Sequence, residues 1–172
     1  MAGEDEMSSS RQKQQDSPFG LLRYATEYVT VGRDSLDAYR SRQHHTQQHH
    51  TRVPFAIYYN FLHGVELGLK AYILNENAAT LDELRSRKFG HNLEAAMKLA
   101  VEYKLREKCP TFTDVHHDQI CAANAIYSSK EFEYISIGKV QLPHIDQIGP
   151  GAESLVGDLT KIAMRALPGE AS

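Results

Sequence analysis

From Pro54 to Asn75 the chain reads PFAIYYNFLHGVELGLKAYILN, and its apolar residues recur at helical spacing. Ile57, Phe61, Val65, Leu69 and Tyr72 lie three or four apart, the repeat of one helix face. Leu62 and Ile73 widen that stripe, which predicts a helix buried on more than one side and central to a helical domain. Two features are unusual for such a helix. Gly64 and Gly68 each cost it about 1 kcal/mol relative to Ala, so a neighbouring helix is expected to approach closely there. Glu66 and Lys70 stand one turn apart among Val65, Leu67, Leu69 and Ala71. At least one of the two charges is therefore expected to be partly buried, and a buried charge needs a partner.

Either side of this segment the pattern alternates between helical stripes and breaks. Residues 1–17, MAGEDEMSSSRQKQQDS, have no apolar periodicity and predict a disordered tail. Ser17-Pro18 supplies an N-cap followed by a proline at the first helical position. Leu22, Ala25, Val29, Gly32, Leu36 and Tyr39 then mark a helix running to about Arg40–Gln43. The polar run SRQHHTQQHHTR joins it to the central helix. Thr80 to Glu83, TLDE, has the capping-box pattern and predicts a short helix to about Arg87. Gly90-His91-Asn92 breaks the chain and opens a third long helix on Leu93, Ala96, Met97, Ala100, Val101 and Leu105. Cys109-Pro110 closes it, because the residue before proline avoids helical backbone. Thr113 or Asp114 caps a fourth helix carrying Val115, Ile120, Ala123, Ile126 and Tyr127. Phe132 to Val140, FEYISIGKV, is rich in β-branched and aromatic residues and predicts a short extended segment or hairpin. Pro143 and Gly149-Pro150 punctuate the next stretch, and Leu155, Leu159, Ile162 and Ala166 mark a last helix over about Ala152–Leu167. The expected fold is all-α: an antiparallel up-and-down bundle of four to five helices, with that extended excursion before the last one. Residues 18–167 form one domain in this reading, and 168–172 a flexible end.

The central and third helices carry a further pattern. GVELGLKAYIL, followed after a loop by GHNLEAAMKLA, places Glu66, Lys70, Gly90, His91, Asn92 and Leu93 in one arrangement. It is a glycine-rich helix with E-x-x-x-K, then G-H-(D/N)-L opening the next helix. The chain from about Pro54 to Leu105 resembles the HEPN domain, a small α-helical bundle, in this respect. YSSKEFEY, from Tyr127 to Tyr134, is similar to the family's stretch after its fourth helix. The resemblance implies a homodimer built on the long helices. In catalytic members it implies metal-independent RNA cleavage by an Arg and a His late in the bundle, a cation for the phosphate and a titratable base. The corresponding region here, Asp118 to Tyr134, contains neither residue type. The chain is therefore read as a non-catalytic HEPN-like binding or assembly module, whose ligand is a nucleotide, an RNA or a protein. The alternatives are an endoribonuclease of the same type using a displaced pair, and a helical interaction module with no small-molecule site.

Composition narrows the chemistry further. A net charge of -3 over 172 residues argues against a general nucleic-acid-binding surface, and no DNA-binding motif is present. No apolar run approaches the roughly 18 residues of a membrane span, and the N-terminus lacks the apolar core of an export signal. The two cysteines, Cys109 and Cys121, match no zinc spacing and read as reduced thiols of a cytoplasmic protein. Displaced Arg/His candidates are Arg40 with His45, and Arg85 with His91. Glu66 and Lys70 are read as a structural ion pair or network, with a polar patch lining a groove as the other possibility. In the run His44, His45, His49 and His50, His45 and His49 would share a face if helical and could then ligate a metal. A solvated linker is the reading adopted, with no metal and no cofactor implied. Basic residues at Arg85, Arg87, Lys88, Lys98, Lys104, Arg106 and Lys108 are diluted by Glu94, Glu102 and Glu107 and read as a solvated face.

Overall fold

Helical apolar spacing resolves into helices throughout the computed structural model, which describes residues 16–46, 54–129 and 142–166. Seven helices and no strand occur among them: α1 (Pro18–Thr46), α2 (Phe55–Asn75), α3 (Leu81–Arg85), α4 (Leu93–Glu102), α5 (Leu105–Lys108), α6 (Asp114–Ser128) and α7 (Ile145–Ala166). The extended segment expected over 132–140 lies outside the described residues, as do His49, His50, nearly all of the N-terminal tail and residues 168–172.

The helical bundle is assembled around α2, which packs against α1, α4, α6 and α7. Phe61, Leu62, Val65, Leu69 and Ile73 are wholly buried along it, as its wide apolar stripe requires. Gly64 explains how α1 comes so close. A Cβ there would stand 2.6 Å from Val29 Cγ2 and 3.0 Å from the Ala25 carbonyl oxygen, so only glycine fits without a shift. At Gly68 a Cβ would meet Leu159 and Val156 at 3.4 Å, an ordinary contact, and Gly68 is not forced in the same way. Gly32 lies against Phe61, and Gly64 against Val29 and Ala25. Rising numbers on α1 thus meet falling numbers on α2, and these two helices run antiparallel.

Local signals set most helix starts. Thr80 and Thr113 each close a capping box, with Glu83 and His116 as the reciprocal partners, and the Asn92 side chain accepts from Ala95 N at 3.1 Å. Three boundaries differ from the sequence expectation. α1 continues to Thr46, because the polar residues past Gln43 interrupt the apolar stripe but not the backbone bonding. The third long helix is broken in two at Lys104, whose φ of 67° is left-handed and costs about 1 kcal/mol. The apolar period runs straight across that break, so nothing in it marks the turn. The Tyr72 hydroxyl of α2 donates to the Tyr103 carbonyl at the break, a tertiary bond that helps hold it. The last helix starts at Ile145, before Gly149-Pro150. Pro150 forfeits the bond its N–H would give the Asp146 carbonyl. Burial of Ile145, Ile148, Ala152 and Leu155 keeps the helix continuous through it. No helix among the described residues is long and apolar enough to cross a membrane.

Candidate functional site

Three polar side chains project from α2 at helical spacing, His63, Glu66 and Lys70, and the break before α4 brings a fourth beside them. Glu66 is only 3% exposed. Its Oε1 accepts from Lys70 Nζ at 2.5 Å, and the same ammonium donates to the Gly90 carbonyl at 2.9 Å. Its Oε2 accepts from the Tyr127 hydroxyl of α6 at 2.5 Å and lies 3.0 Å from His91 Nδ1. His63 Nδ1 is 3.0 Å from the Tyr127 oxygen and 3.6 Å from Oε2. An ionised carboxylate only accepts, so His91 carries its proton on Nδ1. The Tyr127 proton goes to Oε2, which leaves the Tyr127 oxygen to accept from His63 Nδ1–H.

Aromatic rings wall this group. Tyr59 stacks on His63 with ring centroids 5.3 Å apart, Tyr28 meets the same ring edge-on at 4.5 Å, and Tyr127 meets His91 edge-on at 5.7 Å. A second buried polar group lies behind it. Asn124 accepts from Leu93 N at 2.8 Å and donates to Asn92 Oδ1 at 3.3 Å, tying α6 to the start of α4. Among the described residues every buried side-chain nitrogen and oxygen has a partner, so this is a closed network of the kind that specifies one packing.

These contacts set the electrostatics. Burial pushes the Glu66 carboxyl upward, but the His63 hydrogen bond, the Lys70 charge and the bonds from Lys70 and Tyr127 outweigh that and bring it down from 4.5 to about 2. Glu66 is a fixed anion at neutral pH and a poor proton acceptor, unsuited to general acid or base work. Burial also pushes the Cys109 thiol up to about 12 and the Cys121 thiol up to about 11. Neither supplies a thiolate nucleophile at neutral pH.

The structure sorts the remaining candidates. Arg40 pairs with Asp146 at the start of α7, and the side chain of His45 lies outside the described ones. Arg85 pairs with Asp16 at 2.7 Å while His91 turns to Glu66, so Arg85 and His91 are bound to different partners. Gly90, His91 and Asn92 act in succession: a carbonyl for Lys70, a ring for Glu66, a cap for α4. Sequence reasoning did not single out His63 or Asn124, and it placed Tyr127 on an apolar face and at the head of YSSKEFEY, not beside Glu66. His63 had a legible signal, since it stands three residues before Glu66 on the same helix face. Tyr127 and Asn124 had none, because their meeting with α2 and α4 is purely tertiary. No family model, curated protein or solved structure matches the chain.

Proposed function

We propose that this chain is a HEPN-like antiparallel bundle of four to five main helices, serving as a non-catalytic binding or assembly module and working as a homodimer. The observation that carries this reading is the convergence of Glu66 and Lys70 on α2 with Gly90, His91 and Asn92 at the start of α4. These are the two halves of the sequence resemblance, and they meet in one buried network. The network is centred on the buried Glu66, which accepts from Lys70 and Tyr127 and meets His91, and this suits a device that fixes helix packing rather than one that turns over a substrate. The pairing of Arg40 with Asp146, and that of Arg85 with Asp16 while His91 meets Glu66, speak for the same choice over RNA cleavage by a displaced pair.

A surface feature suits the binding half of the reading. An apolar cleft of about 300 Å³ opens between the start of α1, the end of α2 and the end of α7, lined by Phe19, Leu22, Tyr72, Leu159 and Ile162 among others. It lies at the low end of the size range of ligand pockets and can receive an apolar side chain or small group. Two measurements test the proposal. Sedimentation equilibrium is expected to give a dimer, and a monomer at high concentration refutes that part. Incubation with single-stranded and structured RNA in EDTA is expected to leave the RNA intact. Cleavage lost in Arg40→Ala or His45→Ala would establish the ribonuclease reading instead.

A further inference from the structure

We propose that the buried network on α2 is also a binding site for a single transition-metal ion of the imidazole-preferring kind, Zn²⁺ foremost, with His63, Glu66 and His91 as ligands. One ring nitrogen from each histidine and one Glu66 oxygen all lie within 4.8 Å of one another. His91 Nδ1 is 3.0 Å and His63 Nδ1 is 3.6 Å from Glu66 Oε2. Ligands about 2.0–2.1 Å from a tetrahedral zinc stand about 3.3 Å apart, so the carboxylate-to-imidazole separations already bracket the required value. Only the two rings must close on each other. Two imidazoles and one carboxylate form the three-protein-ligand set that leaves a further position open.

The surroundings hold these ligands as a metal centre needs. Lys70, itself anchored on the Gly90 carbonyl, grips Glu66 Oε1 and leaves Oε2 to face the two rings. Such outer contacts orient ligating carboxylates. Tyr59 and Tyr28 pack on His63 and restrict its rotation. His91 is the way in, with 31% of its side chain exposed against 4% for Glu66. The Tyr127 hydroxyl bridges His63 Nδ1 and Glu66 Oε2. Binding exchanges that bridge for the ion: each imidazole passes its proton from Nδ1 to Nε2, and the hydroxyl is left to donate to the carboxylate or to fill the open position. Lys70 offsets the one carboxylate charge, so the site offers an ion little net attraction and must bind through its nitrogens. That selects Zn²⁺, Ni²⁺ or Cu²⁺ over Mg²⁺ and Ca²⁺, which need several oxygen ligands.

The test uses the full chain with His44, His45, His49 and His50 all changed to Gln, so that the linker histidines take up nothing. Isothermal titration with ZnCl₂ is expected to show saturable binding of one ion per chain, with no response to MgCl₂. In that background His91→Gln is expected to weaken binding by about tenfold or more while leaving the helical circular-dichroism spectrum intact. Co²⁺ is expected to give visible d–d bands that vanish in the same variant, a signature a merely structural histidine would not move. Absence of stoichiometric Zn²⁺ uptake, or uptake undiminished by His91→Gln, overturns the proposal. Should His91→Gln fail to fold, His63→Gln in the same background decides by the same two readouts.

Discussion

Replacing Glu66 by Gln keeps the shape of the buried side chain and removes its charge, which isolates what the anion contributes. A carboxyl held at about 2 instead of its usual 4.5 stabilises the native state at neutral pH by about 3 kcal/mol, at 1.36 kcal/mol per pH unit. Breaking a buried pair by removing one partner costs a similar amount, about 3–5 kcal/mol, because Lys70 is left on α2 without its counter-ion. Glu66→Gln is therefore expected to lower the unfolding free energy by about 3 kcal/mol at pH 7, read from urea denaturation. The sign of the pH dependence is fixed by the direction of the shift. A depressed folded-state value contributes stability that is complete above the unfolded value of 4.5 and drains away as the pH falls toward about 2. The gap between wild type and Glu66→Gln should thus be constant from pH 7 to about 5 and shrink to less than half by about pH 3. A gap under about 1 kcal/mol at pH 7, or one that does not shrink in acid, would refute the view that a buried anion holds this bundle together.

Two further substitutions probe the packing around that anion. Gly64→Ala puts a methyl group 2.6 Å from Val29 Cγ2. The overpacking penalty of about 1–3 kcal/mol is expected to exceed the gain of about 1 kcal/mol in helix propensity, so the thermal midpoint should fall. A rise would mean that α1 can move aside freely. Asn124→Ala leaves the buried Leu93 N–H without its acceptor, with an expected cost of about 1–3 kcal/mol. It should also speed hydrogen exchange at Leu93, and unchanged protection there would show that the α6 to α4 tie carries no weight.

Much of the helical layout is legible in the order of residues. The stripe Ile57, Phe61, Val65, Leu69 and Tyr72 repeats at one helical period, and the capping box of Thr80 and Glu83 is a local signal; both need only near neighbours to act. Breaks decided by distant partners are not legible. The left-handed Lys104 interrupts no apolar pattern, and the Tyr72 hydroxyl on the Tyr103 carbonyl comes from another helix. Pro150 reads as a stop in sequence, yet the burial of Ile145 and Ile148 beneath it outweighs one lost backbone bond.

The candidate site divides along the same line. By itself the sequence determined that Glu66 and Lys70 lie one turn apart on an apolar helix, and that Gly90-His91-Asn92 opens the next one, because helical spacing and capping are local properties. Only the tertiary structure decided that both motifs share one buried network, joined by His63 from the same helix and Tyr127 from α6. Burial makes that difference, since a carboxylate taken out of water must collect every donor within reach, from whichever helix supplies it.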